Sequence, residues 1–127
     1  MANEITLSFG LQVRKTINVP NDFKADIPFE VLQRSLTGTR KSACTQTVGT
    51  TAEALIVSTD MASHGLGFFR NLDATNKVQI GMLSNSTFFP GAELQAGDVA
   101  IIPLTTELLY GKAFVAAVEL DFLVLER

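Results

Sequence analysis

The feature that most constrains this chain is a strict alternation near its amino terminus. The odd positions read Ile5, Leu7, Phe9, Leu11, Val13, Lys15, Ile17, Val19, and the even ones Thr6, Ser8, Gly10, Gln12, Arg14, Thr16, Asn18. Side chains on a strand point alternately to opposite faces, so this stretch predicts an extended strand with one apolar face. An amphipathic helix would need apolar residues three and four apart, and the stretch lacks them. Lys15, on the apolar side, marks a bend or an exit from the sheet.

Pro20-Asn21-Asp22 then reads as a turn, and alternation resumes with Phe23, Ala25, Ile27, Phe29 and Val31 on one face. Pro28 on the other face argues for an edge strand. Residues 1–36 are thus expected to form a long hairpin, free to act as an arm towards a neighbouring subunit. Val31 to Leu36 fits either a continued strand or one helical turn.

The remainder divides into short segments separated by turn residues. Strands are expected at Ser42–Val48, Ala54–Ser58, Gly67–Leu72, Lys77–Gly81, Asn85–Phe89, Val99–Leu104, Glu107–Lys112 and Ala117–Leu125. Loops are expected at Gly38–Lys41, Gly49–Glu53, Met61–Gly65, Asp73–Asn76, Pro90-Gly91 and Gln95–Asp98. In the last strand Val118, Leu120, Phe122 and Val124 alternate with Glu119, Asp121, Leu123 and Leu125. Its second face turns apolar at Leu123 and Leu125, as though a neighbour covered it. Evenly spaced strands without a helical pattern predict a single all-β domain over residues 1–127, an antiparallel β-sandwich of jelly-roll-like form.

Composition narrows the function. Charged residues are 18% of the 127 and hydrophobic ones 46%, so polar groups are scarce for covering a monomer's surface. Burial against other subunits is the expected remedy. A net charge of −3 offers no basic surface for nucleic acid, and Arg34, Arg40 and Lys41 read as a solvated cluster. The one cysteine, Cys44, excludes an internal disulfide and, without a neighbouring His or Cys, reads as structural. No secretory signal pattern or membrane-spanning stretch is read in the sequence.

The chemistry-bearing inventory is thin. The single histidine, His64, has only Asp60 near it in sequence, too few ligands for a metal. Gly65-Leu66-Gly67 lacks a third glycine and precedes a strand, so it reads as a backbone bend and not as a dinucleotide loop. Glu119 and Asp121 share a strand face but read as solvated charges. Asp73, Asn76 and Tyr110 are the nearest approach to a sugar site, without a Trp for stacking. No enzyme activity, catalytic residue, metal or cofactor is expected.

Nine Phe against one Tyr and no Trp is the remaining feature. Phe68-Phe69 and Phe88-Phe89 are adjacent pairs, so one member of each faces away from its neighbour's side. Such rings either pack between two covered faces or meet another subunit, where aromatic residues are enriched. The expected interface residues are Ile17, Val19, Phe68, Phe69, Phe88, Phe89, Leu123 and Leu125.

The stretch Phe68-Phe-Arg-Asn-Leu-Asp-Ala-Thr-Asn-Lys-Val-Gln-Ile-Gly81 resembles a recurrent hairpin of small virion proteins of tailed bacteriophages. Leu94-Gln-Ala-Gly-Asp-Val-Ala100 and Ala117-Val-Glu-Leu-Asp-Phe-Leu-Val-Leu-Glu126 resemble the turn and last strand that follow it there. The resemblance covers roughly residues 54 to 127. It implies a phage structural protein, most like a capsid decoration (cement) protein, with a small tail, neck or fibre component as the alternative. The implied partners are further copies of the chain, expected as a homotrimer, and the major capsid protein. The implied location is the virion, after assembly in the host cytoplasm.

Overall fold

In the computed structural model, ten strands follow one another: β1 (Glu4–Lys15), β2 (Phe23–Ser35), β3 (Lys41–Val48), β4 (Glu53–Ala54), β5 (His64–Asn71), β6 (Val78–Ser84), β7 (Thr87–Leu94), β8 (Val99–Pro103), β9 (Tyr110–Ala113) and β10 (Val118–Glu126). The structure describes residues 4–15, 23–35, 38, 40–61, 63–105 and 109–127. Among these there is no helix, and hence none long and apolar enough to cross a membrane. The chain divides into two units, Met1–Leu36 and Thr37–Arg127.

The first unit is the antiparallel pair β1–β2. Its register runs Phe9 to Glu30, then Leu11 to Ile27, so Pro28 and Phe29 lie opposite Gly10 alone. Proline cannot donate to a ladder, and a bulge is one of the few places a paired strand admits it. β2 continues as a strand to Ser35, which settles the ambiguity at Val31 in favour of strand. The expected turn at Pro20-Asn21-Asp22 falls outside the described residues.

The second unit holds two four-stranded antiparallel sheets, ordered β3-β10-β5-β8 and β4-β9-β6-β7. Pairing is nested: β3 with β10, β4 with β9, β5 with β8 and β6 with β7. One apolar cluster fills the space between them. It includes Val48, Phe69, Phe122, Leu120 and Val124 from the first sheet and Val78, Ile80, Leu94 and Ala113 from the second. Val118, Leu120, Phe122 and Val124 are the inward residues of β10, as the alternation requires. This is the all-β sandwich expected from the sequence.

Several local expectations are corrected. Pro90-Gly91 is not a turn but lies inside β7, where the β6–β7 register shifts between Ile80 and Gly81. The turn sits earlier, at Asn85 and Ser86, whose φ values of 48° and 62° suit a tight two-residue hairpin. The bulge brings β7 so close that a Cβ at position 81 would collide with the Phe89 carbonyl, which explains the glycine. Gly65 and Gly67 do not bend the chain; both lie within β5, which starts at His64 inside the expected loop. A side chain at Gly67 would strike the Phe69 ring, so this glycine makes room for a core aromatic. Of the expected strand Ala54–Ser58 only Ala54 pairs, in β4, whose other residue, Glu53, falls in an expected loop. β9 starts at Tyr110, and residues 107 and 108 of the expected segment lie outside the described residues.

Candidate interaction surface

Chemistry-bearing side chains are spent on structure. Asn71, fully buried, donates from Nδ2 to the carbonyls of Asn76 (2.8 Å), Gln95 (3.0 Å) and Leu94 (3.2 Å). Its Oδ1 accepts from the Asp73 N–H at 2.9 Å. Asp73 Oδ1 in turn accepts from the N–H groups of Thr75 and Asn76 and from the Thr75 hydroxyl. These backbone donors hold the Asp73 carboxyl below the usual range. The second turn closes on Asp98, whose Oδ2 accepts from the Gln95 N–H at 2.8 Å, with Gly97 at φ 78°. The Asp98 carbonyl accepts from the Asn71 N–H. Two of the three stretches that carry the sequence resemblance therefore meet at Asn71, and their polar residues act as turn clamps. Asp73, the nearest candidate for a sugar contact, has one carboxylate oxygen engaged in its own turn.

The other candidates are dispersed. His64 is buried at the start of β5, whereas Asp60 is exposed and its carbonyl accepts from Arg40. No group of three His, Cys, Asp or Glu side chains clusters among the described residues. Cys44 is half-buried on the inward face of β3. Glu119 and Asp121 are exposed, and Asp121 accepts from the Thr45 hydroxyl at 3.2 Å.

What the fold does bring together is apolar surface. In sheet β3-β10-β5-β8 the strands align residues into rows across the outward face. One row reads Ala43, Leu123, Phe68, Ile101. Below it lie Lys41, Leu125, Leu66 and Pro103, and above it Thr45, Asp121, Arg70 and Val99. Leu66 is buried, Phe68, Leu123 and Leu125 are half-buried, and Ile101 and Val99 are exposed by 45% and 64%. A shallow depression of about 350 Å³ borders Lys41, Ala43, Phe68, Arg70, Asp121 and Leu123. With strands ~4.8 Å apart and rows ~6.8 Å apart, three rows on four strands cover about 400 Å². Lys41, Thr45, Asp121 and Arg70 take four of the twelve positions, so the apolar part is about 260 Å², a little under the largest apolar patches of typical monomers.

The opposite sheet differs. Its outward face carries Glu93 bonded to Lys77 (3.1 Å), Gln79 (3.0 Å) and Gln95 (2.9 Å), with Lys77 Nζ 4.1 Å from the centre of the Phe114 ring. The Lys77 and Gln79 donors hold the Glu93 carboxyl below its usual range. One outward face is thus a polar network and the other an apolar row flanked by charge.

A second apolar surface lies at the β6–β7 tip. β9 pairs with β6 only as far as Gly81, so the strands beyond project past it. Met82 faces Phe89 and Leu83 faces Phe88 across the projecting hairpin. Phe89 is 51% exposed and Met82 46%. A groove of about 290 Å³ runs between this tip and β8, lined by Met82, Phe89, Pro90, Ile102, Leu104 and Leu109 among others, with no ionisable side chain.

The expected interface residues thus separate. Phe68, Leu123 and Leu125 share the outward sheet face, and Phe88 and Phe89 lie on the projecting hairpin. Phe69 is corrected: it is 1% exposed, tilted against Phe122 at 6.3 Å between ring centres, and belongs to the core. Ile17 and Val19 lie outside the described residues. Ile101, Val99 and Met82 do not stand out in the sequence. Val99–Leu104 reads there as a wholly apolar run, and its outward members emerge only from the pairing with β5. No family model, no curated protein and no solved structure matches this chain.

Proposed function

We propose that this protein is an interaction protein of a tailed-phage virion, one that decorates the capsid shell and stabilises it through oligomeric, multivalent contacts, without enzymatic activity. The observation that carries the reading is the pair of separate apolar surfaces on one small unit, the sheet face around Phe68 and Leu123 and the hairpin tip at Phe89 and Met82. A chain with two such surfaces can bind its own copies through one and shell subunits through the other. Weak contacts then add through effective concentration. The resemblance of residues 54–127 to phage virion proteins supports the shell as the setting. The nested pairing of eight strands is what a long antiparallel ribbon gives when rolled up, and we read the second unit as a jelly roll on that ground. The amino-terminal hairpin is read as an arm, able to add affinity by strand pairing or apolar contact with a neighbour.

The test is binding to isolated phage shells that lack the protein. Saturable, stoichiometric binding with a rise in shell disassembly temperature is expected. Phe89→Asp should weaken that binding at least tenfold while leaving the unfolding midpoint of the free protein close to wild type. Absence of binding to any shell would refute the decoration reading. An unfolded Phe89→Asp variant would make Phe89 a core residue and remove the hairpin tip from the account.

A further inference from the structure

The outward face of sheet β3-β10-β5-β8 is complementary to itself. Consider a two-fold axis parallel to the strands, passing between β10 and β5. It lays one copy's sheet on the other's, keeping each row in place and exchanging β10 with β5 and β3 with β8. The row partners then follow from the register already described. Leu123 faces Phe68 of the second copy and Ala43 faces Ile101, while Leu125 lies over the position of Leu66, which its own chain already buries. In the row above, Asp121 faces Arg70, and the symmetry makes this contact twice.

The other in-plane axis, running along the rows, would oppose Leu125 to Asp121 and bury a carboxylate against an apolar side chain, which is costly. The strand-parallel axis instead gives a matched apolar centre with two opposite-charge pairs at one border, and sets Lys41 over Pro103 at the outer corner, where its ammonium can still reach water. Arg70 is exposed and makes no salt bridge within its own chain among the described residues. The facing sheets keep the small relative angle that twist imposes, which two copies of one surface share by construction.

We propose that this face is an isologous homodimer interface, its occupant a second copy of the same chain. The proposal rests on the reading of this face as an interface and not on the virion assignment. Two faces of about 400 Å² bury at most roughly 800 Å² together, since Leu66 is already covered, and that is below the standard size for a stable complex. The dimer is therefore weak when free, with a dissociation constant on the order of 10 µM or higher. Placement of copies side by side on a lattice would raise their effective concentration and populate it.

Charge reversal tests the pairing with the full chain. Arg70→Asp gives a face that opposes two carboxylates to two carboxylates, and Asp121→Arg opposes two cations to two cations. Each variant alone should sediment as a monomer at concentrations where wild type shows a species of twice the 13.7 kDa chain mass. An equimolar mixture should restore the dimer. The carboxylate introduced in one variant then meets the guanidinium introduced in the other, and the native Asp121 meets the native Arg70. Each variant's dissociation constant should rise at least tenfold and the mixture return to within about threefold of wild type. Circular dichroism would verify that both variants fold, as expected for exposed positions. A wild-type chain monomeric up to 1 mM (on the order of a hundred times the expected constant), a trimer mass, or variants that associate like wild type would each overturn the two-fold pairing. None of these outcomes would decide whether the protein resides on a virion, which shell binding tests separately.

Discussion

Replacing Asn71 by Asp changes one NH2 group to an oxygen, yet it should be among the most damaging single changes available. The native amide has two hydrogens and three carbonyl acceptors, so one hydrogen is shared. A carboxylate has none, and the carbonyls of Asn76, Leu94 and Gln95 would face it without donors at a fully buried position. Two lost hydrogen bonds cost about 2 kcal/mol together. The native state can escape the charge by protonation, which restores one donor. That pushes the folded-state pKa of the introduced carboxyl above its unfolded value of about 3.9, to roughly 6 by analogy with buried carboxyls.

A raised carboxyl pKa means that the folded state binds the proton more tightly, so stability is lost as pH rises through the interval between the two values. At pH 7 the ionisation contributes about 3 kcal/mol beyond the one hydrogen bond still missing in the protonated form, for a total cost of about 4 kcal/mol. At pH 4.5 the cost should be about 2 kcal/mol smaller. The second unit, Thr37–Arg127, survives both if its stability is ordinary for its size, about 9 kcal/mol. Urea unfolding of wild type and variant at the two pH values gives the difference directly. A variant within about 1 kcal/mol of wild type at both would refute the clamp, because no mechanism then remains for burying Asn71.

Adjacent phenylalanines should part company. Phe69→Ala, in the core, should cost about 3–5 kcal/mol in chemical denaturation, whereas Phe68→Ser should cost under about 1.5 kcal/mol and show its effect in self-association. Because Glu93 and Asp73 are held below their ordinary pKa values, each contributes stability above its unfolded pKa, near 4, that is lost as pH falls through the depressed folded value. Glu93→Gln should therefore flatten the decline of the urea midpoint between pH 5 and about pH 3; an unchanged slope would remove the Lys77–Gln79–Glu93 network from the stability of the polar face.

The parts of the fold visible in the sequence are those written in local patterning. Alternation from Val118 to Val124 names the inward residues of β10, because a half-buried strand must alternate. The turn at Asp73–Asn76 is visible because Asp and Asn close turns with their own side chains. Pro90-Gly91 misleads because a bulge uses the same residues as a turn, and only the pairing partner tells them apart. Gly67 misleads for a related reason: its cause is the ring of Phe69, not a bend. The interaction surface is half visible. Leu123 and Leu125 are marked by an apolar run on a face that should be polar. Their alignment with Phe68 and Ile101 is hidden, because it depends on non-local register.

The proposed place in the virion shell is tested most directly by copy number. Quantitative mass spectrometry of purified virions, normalised to the major shell protein, should find copies approaching those of the shell subunits, numbering in the hundreds per particle. A few to a few tens of copies would move the protein to the tail, neck or fibre, and its absence from the particle would contradict the proposed function.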